Sequence, residues 1–260
     1  MVKVIQVCIS GALGFMGKCL RELIAGRADC QVACGIDARA ENITSDDPIP
    51  LYPSFDAVKE KPDVIIDFSS PTGTADMLSY CEKTKTPCVV CTTGLDDLIL
   101  DRMKRLAAQT AVFHSANMSL GVNLVMELAQ IAAGVLGDHF DIEIIEKHHN
   151  RKVDAPSGTA LMIADAINRT ENGKFDYVYD RHATRAARTQ HEIGFHAVRG
   201  GNIVGEHEIL FCGQNETISI SHSASSREVF AEGAVNAAVF LTKQAPGFYC
   251  MQDLIKQNQC

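Results

Sequence analysis

The chain has 260 residues, 46% hydrophobic and 22% charged, which argues against long disorder and allows one large core or two modest ones without disulfide staples. Lys+Arg number 24 against Asp+Glu 32, a net charge of −8, so no nucleic-acid partner is expected, because such binding needs a positive field. No apolar run reads as long enough to span a bilayer, and Met1-Val2-Lys3-Val4-Ile5 enters a strand-like run with no room for a signal segment; the expectation is a cytoplasmic protein with no membrane partner.

In chain order, strands are expected over residues 2–9, 31–37, 63–68, 86–91 and 111–114. Helices are expected from Phe15 through Ile24, over 75–83 and over 96–109. The strands are short and lack polar alternation, as in a parallel sheet covered on both faces. Strand–helix alternation of this kind predicts a doubly wound α/β domain over 1–118, completed by 229–260. Residues 119–228 read differently: a helix over 121–136, a strand over 141–146, a helix opening at Ser157, then strands over 193–198, 203–212 and 216–223. This predicts an inserted α+β domain with a mixed sheet, ahead of a last helix over 229–242. The Arg-rich stretch 181–188 reads as a solvated loop.

The ten cysteines run from Cys8 to Cys260, and without a secretory context they read as reduced thiols. Cys88 and Cys91 have a redox or zinc spacing, but residues i and i+3 of a strand point to opposite faces. Zinc at His148 or His149 with Glu206-His207 lacks a helical histidine pair or a cysteine cluster. No metal site is expected.

Ser10-Gly11-Ala12-Leu13-Gly14-Phe15-Met16-Gly17 joins the first strand to the first helix. Glycines there let the turn close and let backbone N–H groups reach a pyrophosphate at the positive helix end. Asp37 ends the second strand twenty residues past Gly17, where a carboxylate can accept from the adenosine ribose hydroxyls. A tight turn without ligand is the bland alternative. Asp37 favours an unphosphorylated ribose; Arg39 either meets a 2′-phosphate or stands as a solvated loop residue. Use of both NADH and NADPH is expected on this Rossmann-like domain.

Lys147-His148-His149-Asn150-Arg151-Lys152 is a cationic cluster on an acidic chain. It runs on into Asp154-Ala155-Pro156-Ser157-Gly158-Thr159, a helix start with Ser157 as N-cap. Lysine, imidazole and a helix N-terminus converging on one spot make a receptor for carboxylate or phosphate. Neighbouring positive charge is expected to lower the pKa of Lys152, favouring proton donation.

These segments resemble the dihydrodipicolinate reductase family across nearly the whole chain. The resemblance rests on the Gly11–Gly17 turn, Asp67-Phe68-Ser69-Ser70-Pro71, Thr92-Thr93-Gly94, Ser115 through Asn123, Glu146 through Ala160, Val204-Gly205-Glu206-His207 and Ser225-Ser226-Arg227. It implies reduction of a small cyclic dicarboxylate, the dihydrodipicolinate synthase product, to tetrahydrodipicolinate on the diaminopimelate route to lysine. By the same resemblance His148 and Lys152 carry catalysis, with Lys152 the proton donor, and His149, Gly158 and Thr159 bind substrate. Gly11, Ala12, Leu13, Gly14, Phe15, Met16, Asp37, Arg39, Cys91, Thr92, Thr93, Ser115, Ala116, Asn117 and Met118 would hold the cofactor, and the inserted substrate-binding domain would build a homotetramer. Phe15 and Ser70 stand where many members carry basic residues, and Cys91 stands where they carry glycine. The rivals are another two-domain NAD(P)-dependent dehydrogenase of a small acid, or a non-catalytic NAD(H) sensor.

Overall fold

Runs of β-branched residues too short for a helix form the first sheet, seen here in a computed structural model that describes residues 3–42, 47–183 and 185–257. The elements are β1 (Ile5–Ser10), α1 (Phe15–Ala25), β2 (Cys30–Ile36), β3 (Leu51–Tyr52), β4 (Val64–Asp67), α2 (Pro71–Thr84), β5 (Cys88–Val90), α3 (Asp97–Leu106) and β6 (Ala111–His114). After a second group of elements the chain returns with α6 (Glu228–Leu241), β12 (Gly247–Tyr249) and α7 (Met251–Gln257). The strand order is β12-β6-β5-β4-β1-β2-β3, with every pairing parallel. All four residues of β4 are buried, as covering on both faces requires.

Each face has its own core. Val89 and Cys91 pack with Leu20, Ile24 and the α6 residues Ala234 and Val235 on one side. Cys88 and Val90 pack with Met77, Leu78 and Met103 on the other, so the two thiols point apart as strand geometry demands. Local chemistry sets the helix starts: Ser70 Oγ accepts from Gly73 N at 3.2 Å ahead of α2, and Asp96 Oδ1 accepts from Ile99 N at 2.9 Å ahead of α3.

The intervening elements are α4 (Leu120–Leu136), β7 (Asp141–His148), α5 (Gly158–Thr170), β8 (Asp176–Val178), β9 (Glu192–Arg199), β10 (Gly205–Cys212) and β11 (Thr217–Ala224). Their mixed sheet has the order β11-β10-β7-β9-β8. β10 runs antiparallel to β7 and β11, while β7 and β8 run parallel to β9. Val125, Met126 and Ala129 of α4 and Ile163 and Ile167 of α5 cover one face, against Ile142 and Ile144. Burial alternates along β7, which turns Glu146 and His148 to the covered side and Lys147 to the open side. By packing, the chain divides into Met1–Ser119 with Glu228–Cys260, and Leu120–Arg227.

Some expectations need correcting. β3, β8, β12 and α7 were not foreseen, since two to seven residues carry too little periodicity; α7, not α6, is therefore the last helix. The stretch 181–188 is not simply solvated. Arg181 pairs with Glu143 at 2.8 Å and Glu192 at 2.7 Å, and Arg188 pairs with Asp141. Leu120–His139 is long and apolar enough to cross a membrane, an 18-residue window of its 20 residues having mean hydropathy 1.5. Asn123, Glu127 and Gln130 interrupt it and hid its average from a search for unbroken runs. In the fold one face of it is buried, at Val125, Met126, Ala129 and Ala133, while Leu124, Leu128, Ile131 and Val135 stay exposed. Residue 2 of the first expected strand, Thr184 and Cys260 lie outside the described residues; the other nine cysteines are free.

Candidate active site

In the first unit the site grows from the turn after β1. Gly11 adopts φ +82°, and a Cβ there would stand 2.5 Å from the Phe68 carbonyl oxygen, so glycine is required. Gly11 N and Ala12 N both donate to Ile36 O, at 2.8 and 3.1 Å. Gly14 is the N-cap of α1 and offers no side-chain cap, which leaves the positive end of the helix to an anion. Gly17 brings α1 against the turn: a Cβ would lie 2.2 Å from Gly11 O.

A cavity of about 640 Å³ opens here, lined from the expected set by Gly11, Gly14, Asp37 and Arg39. Asp37 Oδ2 accepts from Leu13 N at 3.1 Å. Arg39 grips the same carboxylate through one edge of its guanidinium, Nε at 2.8 Å and Nη2 at 2.9 Å. That grip, opposed by burial, holds the Asp37 carboxyl below its ordinary value. Arg39 is therefore neither loose in solvent nor free. The helix cap, the ribose-height carboxylate and the cavity between them fit an adenine dinucleotide.

Sequence reasoning missed the α2 wall of this cavity, made by Gly73, Asp76, Tyr80 and Lys83. Their spacing of three, four and three residues was the available signal. Phe15 is 64% exposed beside the turn, and Met16 packs against the core. Cys91, Thr92 and Thr93 follow β5, and Ser115, Ala116, Asn117 and Met118 follow β6, at the same C-terminal edge of the sheet. Buried Asp67 ties the loop after β5 to the segment after β4 and the start of α2, accepting from Ser69 Oγ at 2.5 Å, Thr74 Oγ1 at 2.5 Å and Thr92 Oγ1 at 2.8 Å. Ser115 Oγ donates to Asn117 O at 2.9 Å, and Asn117 Oδ1 accepts from Ser119 N at 2.8 Å. Burial pushes the Cys91 thiol well up, with the Asp67 charge adding to it, so Cys91 is a packed hydrophobe rather than a reactive thiolate.

In the second unit the cationic segment divides. Lys147 turns to Glu206 on the open side, at 3.0 Å, and Arg151 reaches Asn202 at 3.0 Å. His148 turns inward, where its Nδ1 lies 2.6 Å from the fully buried Glu146 carboxylate. Lys152 ion-pairs with Asp154 at 2.8 Å, its side chain 21% exposed; the expected cluster thus contains an anion that a count of positive charges overlooked. His149 is held below its ordinary pKa by burial and by Arg151, Arg227, His148 and Lys152. Its Nδ1 is buried without a hydrogen-bond partner among the described residues.

Ser157 caps α5 as expected, Oγ accepting from Ala160 N at 3.2 Å. Gly158 follows at the helix start with nothing within 4 Å of its Cβ direction, and Thr159 stands next to it. Two further residues complete the site. His207 Nε2 lies 2.9 Å from Ser157 Oγ, its ring edge-on to His148 at 5.2 Å. Arg199 grips Glu146 from the end of β9. Arg199 shares the covered face with Ile193 and Phe195 by period two, and a charge at such a position is the sequence signal for it. Among the described residues no group of three His, Cys, Asp or Glu side chains could hold a metal.

Burial, with His148 nearby, depresses His207 to about 4. Its folded pKa thus lies below the unfolded value of about 6.5. The stability this contributes is present above the unfolded value and is lost as pH falls from about 6.5 to about 4. Between pH 7 and pH 4.5 the protein should lose about 2 kcal/mol more unfolding free energy than His207→Gln; urea melts at the two pH values measure it.

A family model described as "Dihydrodipicolinate reductase, N-terminus" matches residues 5–118, and one described as "Dihydrodipicolinate reductase, C-terminus" matches residues 121–255. The chain is 48% identical over 254 residues to the 4-hydroxy-tetrahydrodipicolinate reductase of Caldanaerobacter subterraneus subsp. tengcongensis, covering 98% of this chain and 99% of that one. It is 39% identical over 251 residues to that of Clostridium tetani, covering 96% and 97%. Among solved structures, a dipicolinate-bound dihydrodipicolinate reductase from Paenisporosarcina sp. TG-14 superposes with a TM-score of 0.80 at 25% identity, covering 95% of this chain and 98% of that one. Both halves of the chain are thus matched, the second including the histidine–lysine loop and the capped start of α5. The chain belongs to the dihydrodipicolinate reductase family.

Proposed function

We infer that the protein reduces the dihydrodipicolinate synthase product to tetrahydrodipicolinate with NADH or NADPH, a step of the diaminopimelate route to lysine. The observation that carries this is the meeting of His148, His149, Lys152 and the Ser157-capped start of α5, a carboxylate receptor with a proton donor in it. When bound, the nicotinamide supplies the hydride.

The chain's own residues divide the remaining work. The Gly11–Met16 turn and the uncapped α1 N-terminus would hold the pyrophosphate, and Asp37 the ribose. The loops Cys91-Thr92-Thr93 and Ser115 through Met118, which follow β5 and β6, would flank the nicotinamide half. Gly158 N–H, Thr159 and His149 would bind a substrate carboxylate. Lys152 would donate the proton that the reduced ring needs, with His148 beside it stabilising developing negative charge.

The open face of the second sheet, with Val198 44% exposed opposite Lys147, supports homotetramer assembly through this unit. Light scattering should then give about four times 28.2 kDa. By this reading the compartment is the cytoplasm.

The test is an assay coupled to fresh synthase product, with each nicotinamide in turn. Oxidation that depends on that product is expected; dinucleotide binding without oxidation would return the sensor alternative. Asp37→Ala should raise the NADPH-to-NADH ratio of kcat/KM by about tenfold, since it removes a charge that repels a 2′-phosphate and releases Arg39 to meet one. An unchanged ratio would take Asp37 out of the site.

A further inference from the structure

Glu146 lies on the covered face of β7, two residues before His148, and is fully buried. It is not available to a ligand, because its acceptor positions are already filled. Oε2 receives His148 Nδ1 at 2.6 Å and Arg199 Nη1 at 2.7 Å. Oε1 receives Arg199 Nη2 at 2.6 Å and Ser157 N at 3.0 Å. The two-pronged Arg199 contact supplies the counter-charge that makes burying a carboxylate tolerable; burial pushes the Glu146 carboxyl up, and the contacts from Arg199 and His148 outweigh it and hold the carboxyl below its ordinary value.

A carboxylate only accepts, so the nitrogen of His148 that faces it must carry the hydrogen. The opposite nitrogen, Nε2, faces Gly205 of β10, where a Cβ would stand 3.1 Å away. The gap beside Nε2 thus depends on a residue without a side chain.

We propose that Glu146 is the positioning residue for His148: backed by Arg199, it fixes the Nδ1–H tautomer and leaves Nε2, opposite Gly205, as the nitrogen offered to substrate. The inference rests on the role assigned to His148 above. A second hydrogen bond that fixes tautomer and ring orientation is how imidazoles are set for proton transfer. The same carboxylate holds Ser157 N, so it also ties the imidazole to the cap of the substrate-binding helix.

The test uses the full chain with 15N-labelled histidine. Long-range 1H–15N spectra at alkaline pH should show His148 of the wild type in the single Nδ1–H form. Glu146→Gln, which keeps the shape but can offer either an oxygen or an amide hydrogen to the ring, should mix the tautomers. It should also lower kcat about tenfold to a hundredfold while NADH affinity stays unchanged. Gly205→Ala, read in parallel, should raise KM for the dicarboxylate without affecting NADH binding. The Nε2–H form in the wild type, or a Glu146→Gln protein with wild-type tautomer and kcat, would overturn the proposal. If Glu146→Gln fails to fold, the wild-type tautomer and Gly205→Ala still decide it. Should the wild type fail to reduce the synthase product, the functional reading falls, and the tautomer of His148 still judges the positioning.

Discussion

Lys152→Ala should lower kcat by about a hundredfold or more while leaving the fold intact. Hydride addition to one carbon of an unsaturated ring leaves electron density that must be met by a proton nearby. An ammonium held beside that ring both supplies the proton and offsets the charge as it develops. In the proposed role Lys152 is oriented by a short turn, Lys152 N to His149 O at 3.1 Å, and by its ion pair with Asp154. That pair is partly exposed, and exposed pairs contribute about 0–1 kcal/mol, so the melting temperature should barely move. Lys152→Arg should not restore turnover, because a guanidinium does not release its proton at working pH. Steady-state rates and a circular dichroism melt on the same preparations check both halves. Near-normal turnover in Lys152→Ala would remove the residue from the chemistry.

Gly17→Ala should damage both stability and cofactor binding. The added methyl would meet Gly11 O at 2.2 Å and the Cα and carbonyl carbon of Ala12 at 2.7 Å. All three are backbone atoms of the turn proposed to hold the cofactor, so no side chain can swing aside. α1 would have to retreat from β1, although its Leu20 and Ile24 are locked in the core. A cost of about 3 kcal/mol is expected from such overpacking, along with at least tenfold weaker NADH binding, or about 1.4 kcal/mol. Gly158→Ala is the control for stability: nothing lies within 4 Å of the new atom, and unfolding free energy should stay within about 1 kcal/mol. Urea melts and NADH fluorescence titration separate the two effects, and a Gly17→Ala protein with wild-type values in both would refute the packing argument.

The first sheet was legible because its strands are apolar on both faces and its turns carry glycine and capping serine or aspartate. β4 and β6 lie within the spans read for them, and the Gly11–Gly17 turn sits where a strand-to-helix junction was expected. β3 and β12 escaped because two or three residues pair only once longer neighbours are in place. In the second sheet the alternation of β7 was visible in Ile142, Ile144 and Glu146. What that alternation does to a cationic run was not followed through: it sends Lys147 and His148 to opposite faces, so the apparent cluster is two sets of residues. Partners distant in sequence were harder still. Arg199 reaches Glu146 across 53 residues, and Arg181 reaches Glu143 across 38. Ion pairs of this kind depend on sheet register, which local pattern does not encode.

The position of α6 has a consequence for biosynthesis. Ala231, Ala234, Val235, Ala238 and Leu241 form part of the core beneath β1, β4 and β5, and Gly233 lets the helix press to within a methyl's width of the Met118 carbonyl. A nascent chain therefore finishes the inserted unit, complete at Arg227, while the earlier-made sheet still lacks the roof over one of its faces. The face that α1 and α6 share therefore stays partly uncovered until Leu241 has been made, the kind of transient apolar exposure that invites aggregation.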